Sequence, residues 1–195
     1  MVVVAGTRLE AGAARRVLRG TGVEVVRVGV GGAPLTVAEG AAPVVVVGLC
    51  GALVPLPPGT VVVPDEVGEP NGSVVRCDPL LAGRLRAAAA ARGWPLAAGR
   101  QLSAPVILRG AERARWGAQG FETVDMEAAA ALRLAPGAVV RVVLDAPGDE
   151  LPAVRDLVDP RSWPAAARVA TRAPGYSWRA AVVVGDVLAT RPLEG

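Results

Sequence analysis

Residues 44–66 read VVVVGLCGALVPLPPGTVVVPDE, and the fold turns on them. Four valines in a row, with no polar position between them, describe a strand buried on both faces, as in a parallel sheet. No charged side chain occurs from Ala41 to Pro64. Even so, Pro43, Pro55, Pro57 and Pro58 cut this run into pieces far shorter than the ~20 residues a membrane-spanning helix needs. The passage therefore reads as two buried strands, Pro43–Val47 and Thr60–Val63, joined through a glycine-rich turn at Gly48-Leu49-Cys50-Gly51.

Working outward, apolar runs alternate with helical patterns, the signature of a largely parallel sheet covered by helices. Toward the N-terminus lie a strand at Val2–Ala5, a helix near Leu9–Arg19 and a strand at Val23–Val28. The helix places Leu9, Ala13, Val17 and Leu18 on one face. Gly29-Val-Gly-Gly32 and a short helix over Pro34–Gly40 lead back to the valine strand. Toward the C-terminus the patterns predict helices at Pro79–Arg92, Glu112–Gln119 and Met126–Leu134. Between them come extended segments at Gln101–Leu102 and Val106–Leu108 and a short strand at Glu122–Val124, and after them a last central strand at Ala138–Leu144. Prolines 147, 152, 160, 164 and 174 then separate loops from two helices, near Ala165–Ala173 and Ser177–Ala189. The sum is an α/β chain: a three-layer α/β/α sandwich around a mixed, mostly parallel sheet, in a single domain spanning residues 1–195.

Composition narrows the chemistry. Of the 195 residues 52% are hydrophobic, only 3% are aromatic, and the net charge is +3. All 21 basic residues are arginines, and they are dispersed, as at Arg84 and Arg86 or Arg113 and Arg115. A nucleic-acid surface would cluster them and interleave stacking aromatics, so solvated helix faces account for them better. Cys50 and Cys77 form no CxxC and no signal peptide precedes the first strand, which suggests reduced thiols in the cytoplasm. There is no histidine. That removes Ser-His-Asp triads, Cys-His pairs and His-ligated zinc, and no metal or cofactor is expected. Acid–base chemistry must rest on Asp and Glu.

In open α/β sheets ligands gather at the carboxyl ends of the strands. Just past those ends stand Gly6 and Glu10, the Gly48–Gly51 turn, Asp125-Met126-Glu127, and Asp145. Each has a plainer explanation. Glu10 fits the first turn of a helix, where the macrodipole favours negative charge. Asp125 or Glu127 fits an N-cap, though capping explains one and not both. Asp145 fits the start of an Ala-Pro-Gly turn. Cys50 fits a small buried hydrophobe, since no histidine can activate it, and Asp149-Glu150 a solvated loop pair.

In order and spacing these segments resemble the nucleoside phosphorylase/nucleosidase superfamily. Val44–Leu53 followed by Pro58–Glu66 is similar to its strand–glycine–strand signature, Val124-Asp-Met-Glu-Ala128 to its ribose-binding Met-Glu motif, and Arg141-Val-Val-Leu-Asp145 to its late strand ending in a catalytic Asp. The segment RVVLDAPGDELP at Arg141–Pro152 resembles the hopanoid-biosynthesis-associated branch, thought to remove adenine from adenosylhopane. The chain is also similar to methylthioadenosine/S-adenosylhomocysteine nucleosidase.

The resemblance implies a purine nucleosidase acting on an adenine nucleoside of the adenosylhopane, methylthioadenosine or futalosine type. Asp145 would be the acid at N7, Glu127 would accept from the ribose hydroxyls, and Met126 would pack on the sugar. Cys50 and Gly51 would line the sugar face, Val106 and Ile107 would meet the base through backbone groups, and Glu10 would orient the attacking water. An acid at N7 eases the departure of a poor leaving group, and burial at the end of an apolar strand favours a protonated Asp145. An anionic Glu127 also helps stabilise positive charge developing on the sugar ring. Phosphate-binding members carry Arg-x-Gly-Ser around the glycines. Here the Arg and Ser positions are Val46 and Leu49, so water is the expected acceptor. Phosphorolysis, or nucleoside binding without cleavage, are the alternatives. The partner is a small-molecule nucleoside, with no nucleic acid and no integral membrane segment, in a homo-oligomer of two or more copies.

Overall fold

A computed structural model describes residues 1–29, 42–148 and 163–190. The expected helix at Pro34–Gly40 and the Asp149-Glu150 pair lie outside the described residues. The strands are β1 (Val2–Ala5), β2 (Glu24–Arg27), β3 (Val44–Ala52), β4 (Val61–Val62), β5 (Glu66–Gly68), β6 (Val74–Arg76), β7 (Leu96–Ala97), β8 (Arg100–Ser103), β9 (Phe121–Asp125) and β10 (Gly137–Asp145). The helices are α1 (Arg8–Val17), α2 (Pro79–Ala91), α3 (Gly110–Ala118), α4 (Ala128–Leu132) and α5 (Trp163–Ala189).

The sheet is mixed and mostly parallel, and the chain is the expected α/β/α sandwich. Its main path runs β6-β5-β8-β9-β3-β10-β4-β7, and β1 joins β3 to β2. Every residue of β10 is buried, as are the first five of β3. Such burial needs cover on both faces, which explains the unbroken valine runs. α5 packs along β10 and β3 with α1 and α2 against it, while α4 covers parts of β3, β10, β5 and β6. Local chemistry starts the helices: Asp78 caps α2 with Pro79 behind it, and Thr7 caps α1.

Several details differ from the sequence reading. β3 does not turn at Gly48; it runs on through Gly51 to Ala52, because its backbone keeps pairing with β10. β10 also lies between β3 and β4, so the two valine strands are not neighbours. Val106–Leu108 is loop and not strand. α5 is one helix through Pro174, since its buried side chains, from Ser177 to Val187, all follow the proline and anchor that half. The proline costs one backbone bond there, which packing offsets. The short strands β5, β6 and β7 carry too few residues to show a period.

Candidate active site

The site is built around the second half of β3. Gly51 pairs with Asp145 of β10 on one edge and with Val124 of β9 on the other. Strands about 4.8 Å apart put those two partners ~10 Å from each other, within the span of one nucleoside. The register slips between Val143 and Asp145, so Leu144 is an extra residue and Asp145 stands opposite Gly51. Bulges re-aim side chains in this way.

A cavity of about 230 Å³ opens here. Glu10, Cys50, Gly51 and Asp145 line it, and so do Met126, Glu127, Val106 and Ile107. The eight residues singled out from the sequence thus face one space. Gly6 stands beside them, with its Cβ position 3.0 Å from the Glu127 carboxylate.

Two buried arginines organise this space, and neither behaves as a solvated helix-face residue. Arg141, 1% exposed, lies in mid-β10. It donates to Asp125 Oδ2 through Nη2, to Glu127 Oε2 at 3.2 Å and to the Val47 carbonyl at 3.2 Å. Glu10 Oε1 is 4.0 Å from its Nη1. Burial alone would lower the Arg141 pKa, but Asp125, Glu127 and Glu10 outweigh that and keep it charged. Burial raises the Glu127 carboxyl above the usual range, with Asp125 and Glu10 pushing the same way against Arg141. One signal for Arg141 was in the sequence: a lone charge inside VVRVVL must be paired to be buried.

Arg113, 3% exposed, is the second. Its Nη2 donates to Asp145 Oδ2 at 2.6 Å, its Nη1 to the Ala52 carbonyl at 3.2 Å, and its Nε to the Leu108 carbonyl at 3.0 Å. Asp145 is buried, as expected, but its surroundings are not apolar, because a guanidinium lies against it. The only hint in the sequence is that Arg113 shares a helical face with Trp116, three residues on.

The glycines of β3 are notches cut for these ions. A Cβ at Gly48 would fall on the Glu10 carboxylate and 2.5 Å from Arg141 Nη1. One at Gly51 would sit 2.7 Å from Arg113 Nη2 and 3.2 Å from Asp145 Oδ1. Both readings of Glu10 meet in the structure. It completes a capping box, accepting from the Thr7 backbone at 2.7 Å and the Thr7 hydroxyl at 2.8 Å on Oε2. Its Oε1 accepts from Leu49 N–H at 2.7 Å, in the cavity wall. Asp125 Oδ2 also accepts from Ala128 N–H at 3.0 Å, so Asp125 and not Glu127 caps the start of α4. Burial pushes the Cys50 thiol far up, so it is a neutral wall residue, and Cys77 goes up to about 11 for the same reason.

No family model matches the sequence, and neither does any curated protein. Solved structures do match. A mutant 5′-methylthioadenosine/S-adenosylhomocysteine nucleosidase of Helicobacter pylori, with 5′-methylthioadenosine in its active site, superposes with a TM-score of 0.77 at 14% identity, covering 97% of this chain and 98% of that one. The chain has the nucleosidase fold. A futalosine hydrolase mutant of Helicobacter pylori gives a TM-score of 0.76 at 14% identity over 97% and 98% of the two chains. The nucleosidase of Neisseria meningitidis in complex with methylthio-immucillin-A gives 0.75 at 17% over the same shares. Within the nucleosidase fold, the cavity lies at the Gly51 end of β3, where β10 runs out parallel beside it and β9 pairs antiparallel on its other edge. Among the described residues no helix is long and apolar enough to cross a membrane.

Proposed function

We propose that this chain is a purine nucleosidase, hydrolysing the N-glycosidic bond of an adenine nucleoside. The observation that carries the reading is that Asp145 and Glu127 reach one cavity from opposite sides of β3. Glu127, already held by Arg141, accepts from the ribose hydroxyls, with Met126 against the sugar and Cys50 and Gly51 along its face. Val106 and Ile107 present backbone groups to the base. As the C1′–N9 bond breaks, the bonding pair stays with the purine, and the acid form of Asp145 passes its proton to N7. Water held by Glu10 adds to C1′ and gives its proton to that carboxylate. The carboxylates round Arg141 stabilise the positive charge that develops on the sugar.

Water is the acceptor in this reading because Val46 is fully buried in β3 and Leu49 offers only an apolar side chain to the cavity. The solved neighbour that carries 5′-methylthioadenosine supports an adenine nucleoside with a modified 5′ group, a description adenosylhopane also fits, and the neighbour named for futalosine supports a purine nucleoside modified at the same position. The working form is a cytoplasmic homo-oligomer of a single-domain chain. One observation favours binding without cleavage instead: a carboxylate paired with a guanidinium holds a proton less readily.

The test is incubation with adenosine, 5′-methylthioadenosine, futalosine and adenosylhopane, each with and without phosphate, with products identified by mass spectrometry. Free base and free sugar in both buffers are expected. A sugar 1-phosphate would establish phosphorolysis, and tight binding with no product would establish the second reading.

A further inference from the structure

We infer that Arg113 is a positioning residue that locks Asp145 and the Val106–Leu108 loop into one base-binding unit. This rests on the nucleosidase reading of the cavity. Among the described residues the acceptors of Arg113 belong to three separate segments: Leu108 to the loop before α3, Ala52 to the end of β3, and Asp145 to the end of β10. Leu108, Asp145 and Arg113 itself line the cavity, at the end this reading gives to the base.

Stability alone is a poor explanation for a guanidinium here. An ion pair with both partners almost fully buried gives up the solvation of two charges, and well-packed apolar side chains often serve as well. The apolar contact of this region is already supplied by Leu53, Leu102, Leu108, Trp116, Phe121 and Val124. What a planar guanidinium adds is direction, because its donors hold three acceptors in fixed relation. The backbone around it is shaped to the same end. Gly51 leaves the space that Nη2 fills, and the Leu144 bulge turns Asp145 onto Gly51. Meanwhile Val106 and Ile107 are 55% and 47% exposed, and the loop enters the apolar cluster through Leu108, the residue whose carbonyl Arg113 takes. The Leu108 bond to Arg113 ties it down.

A double-mutant cycle tests this, using Arg113→Met, Asp145→Asn and the pair together, with Arg113→Lys as the conservative variant. Turnover is measured on 5′-methylthioadenosine, and affinity for adenine itself by calorimetry. Arg113→Met is expected to lower kcat by about 10²-fold, the size of effect that misplacing a reacting group produces. In the Asp145→Asn background it should lower kcat by no more than about twofold, since its effect on chemistry runs through Asp145. Adenine affinity should fall roughly tenfold in both backgrounds, because the loop loses its anchor either way, and Arg113→Lys should recover part of it. If Arg113→Met alone does not fold, the comparison of Asp145→Asn with the double variant on adenine decides the matter, because that pair removes both charges. Unchanged adenine affinity in that comparison, losses in kcat that multiply, or no binding of adenine by the unmodified chain would overturn the inference. A chain that binds adenine with this pattern but turns over no nucleoside would instead leave the positioning role standing and remove the hydrolase reading.

Discussion

The two ends of the cavity are built on the same device, a buried arginine, put to different uses. At the end proposed to hold the sugar, Arg141 is shared by three carboxyl groups: Glu10 from α1, Asp125 from the end of β9, and Glu127 from the start of α4. At the end proposed to hold the base, Arg113 meets, among the described residues, the Asp145 carboxylate and the carbonyls of Ala52 and Leu108. The first cluster leaves negative charge in excess over its one cation, which suits a sugar that becomes positive as its base departs. The second sets a carboxyl group and two carbonyls in fixed directions around one planar guanidinium. β3 serves both by dropping a side chain at Gly48 for one and at Gly51 for the other. One strand thus separates an electrostatic site from an orienting one.

Breaking the base end should show in the rate. Asp145→Asn keeps the shape and still accepts from Arg113, but it cannot donate a carboxylic proton. The expected loss in kcat is about 10²–10⁴-fold with the fold intact, read by steady-state kinetics beside circular dichroism. If Asp145 were only a turn residue, Asn would serve almost as well and the rate would survive.

Breaking the sugar end at its centre should show in stability. Arg141→Met strands three buried carboxylates with no cation, and removing one partner of a buried ion cluster costs about 3–5 kcal/mol. Urea denaturation should therefore give a much lower midpoint, or no folded protein at neutral pH. A midpoint within experimental error of the unmodified chain would mean that the cluster is solvated and the comparison false.

Glu127→Gln is the milder change. It should weaken nucleoside binding as well as turnover, each by roughly tenfold, since its hydroxyl contacts exist before and during reaction. The pH dependence carries a sign. Burial raises the Glu127 carboxyl, and the protonated form is the poorer acceptor for two hydroxyls. Nucleoside affinity should fall on acidification, beginning at a higher pH than for an ordinary glutamate, and this limb should vanish in Glu127→Gln. Titration calorimetry across pH 4–8 (roughly spanning the glutamate range) checks it.

The comparison also marks where sequence reading worked. The valine runs at Val2–Ala5, Val44–Val47 and Gly137–Leu144 carry the buried parallel strands in plain view, because a strand covered on both faces admits no polar alternation. The carboxylates at the strand ends were legible for a related reason: loops at those ends converge whatever their sequence. The buried arginines were far less so: Arg141 shows only as a lone charge in an apolar run, and Arg113 only by its spacing from Trp116. Residue type alone does not say whether a guanidinium is buried, and Arg113 sits in a helix otherwise rich in exposed charge. Nor was the course of β3 beyond Gly48 visible, since a glycine that makes room for a neighbour looks the same as a glycine that turns the chain. Pro174 misled in the same way, its local preference overridden by the packing of Ser177–Val187.

The central claim is that this cavity adds water to C1′ of an adenine nucleoside. Turnover of 5′-methylthioadenosine in oxygen-18 water containing phosphate tests it directly, with mass spectrometry of the sugar product. The account predicts free adenine and a free sugar carrying one heavy oxygen at C1. A sugar 1-phosphate, or no release of adenine by the folded protein from adenosine, 5′-methylthioadenosine or adenosylhopane, would contradict it.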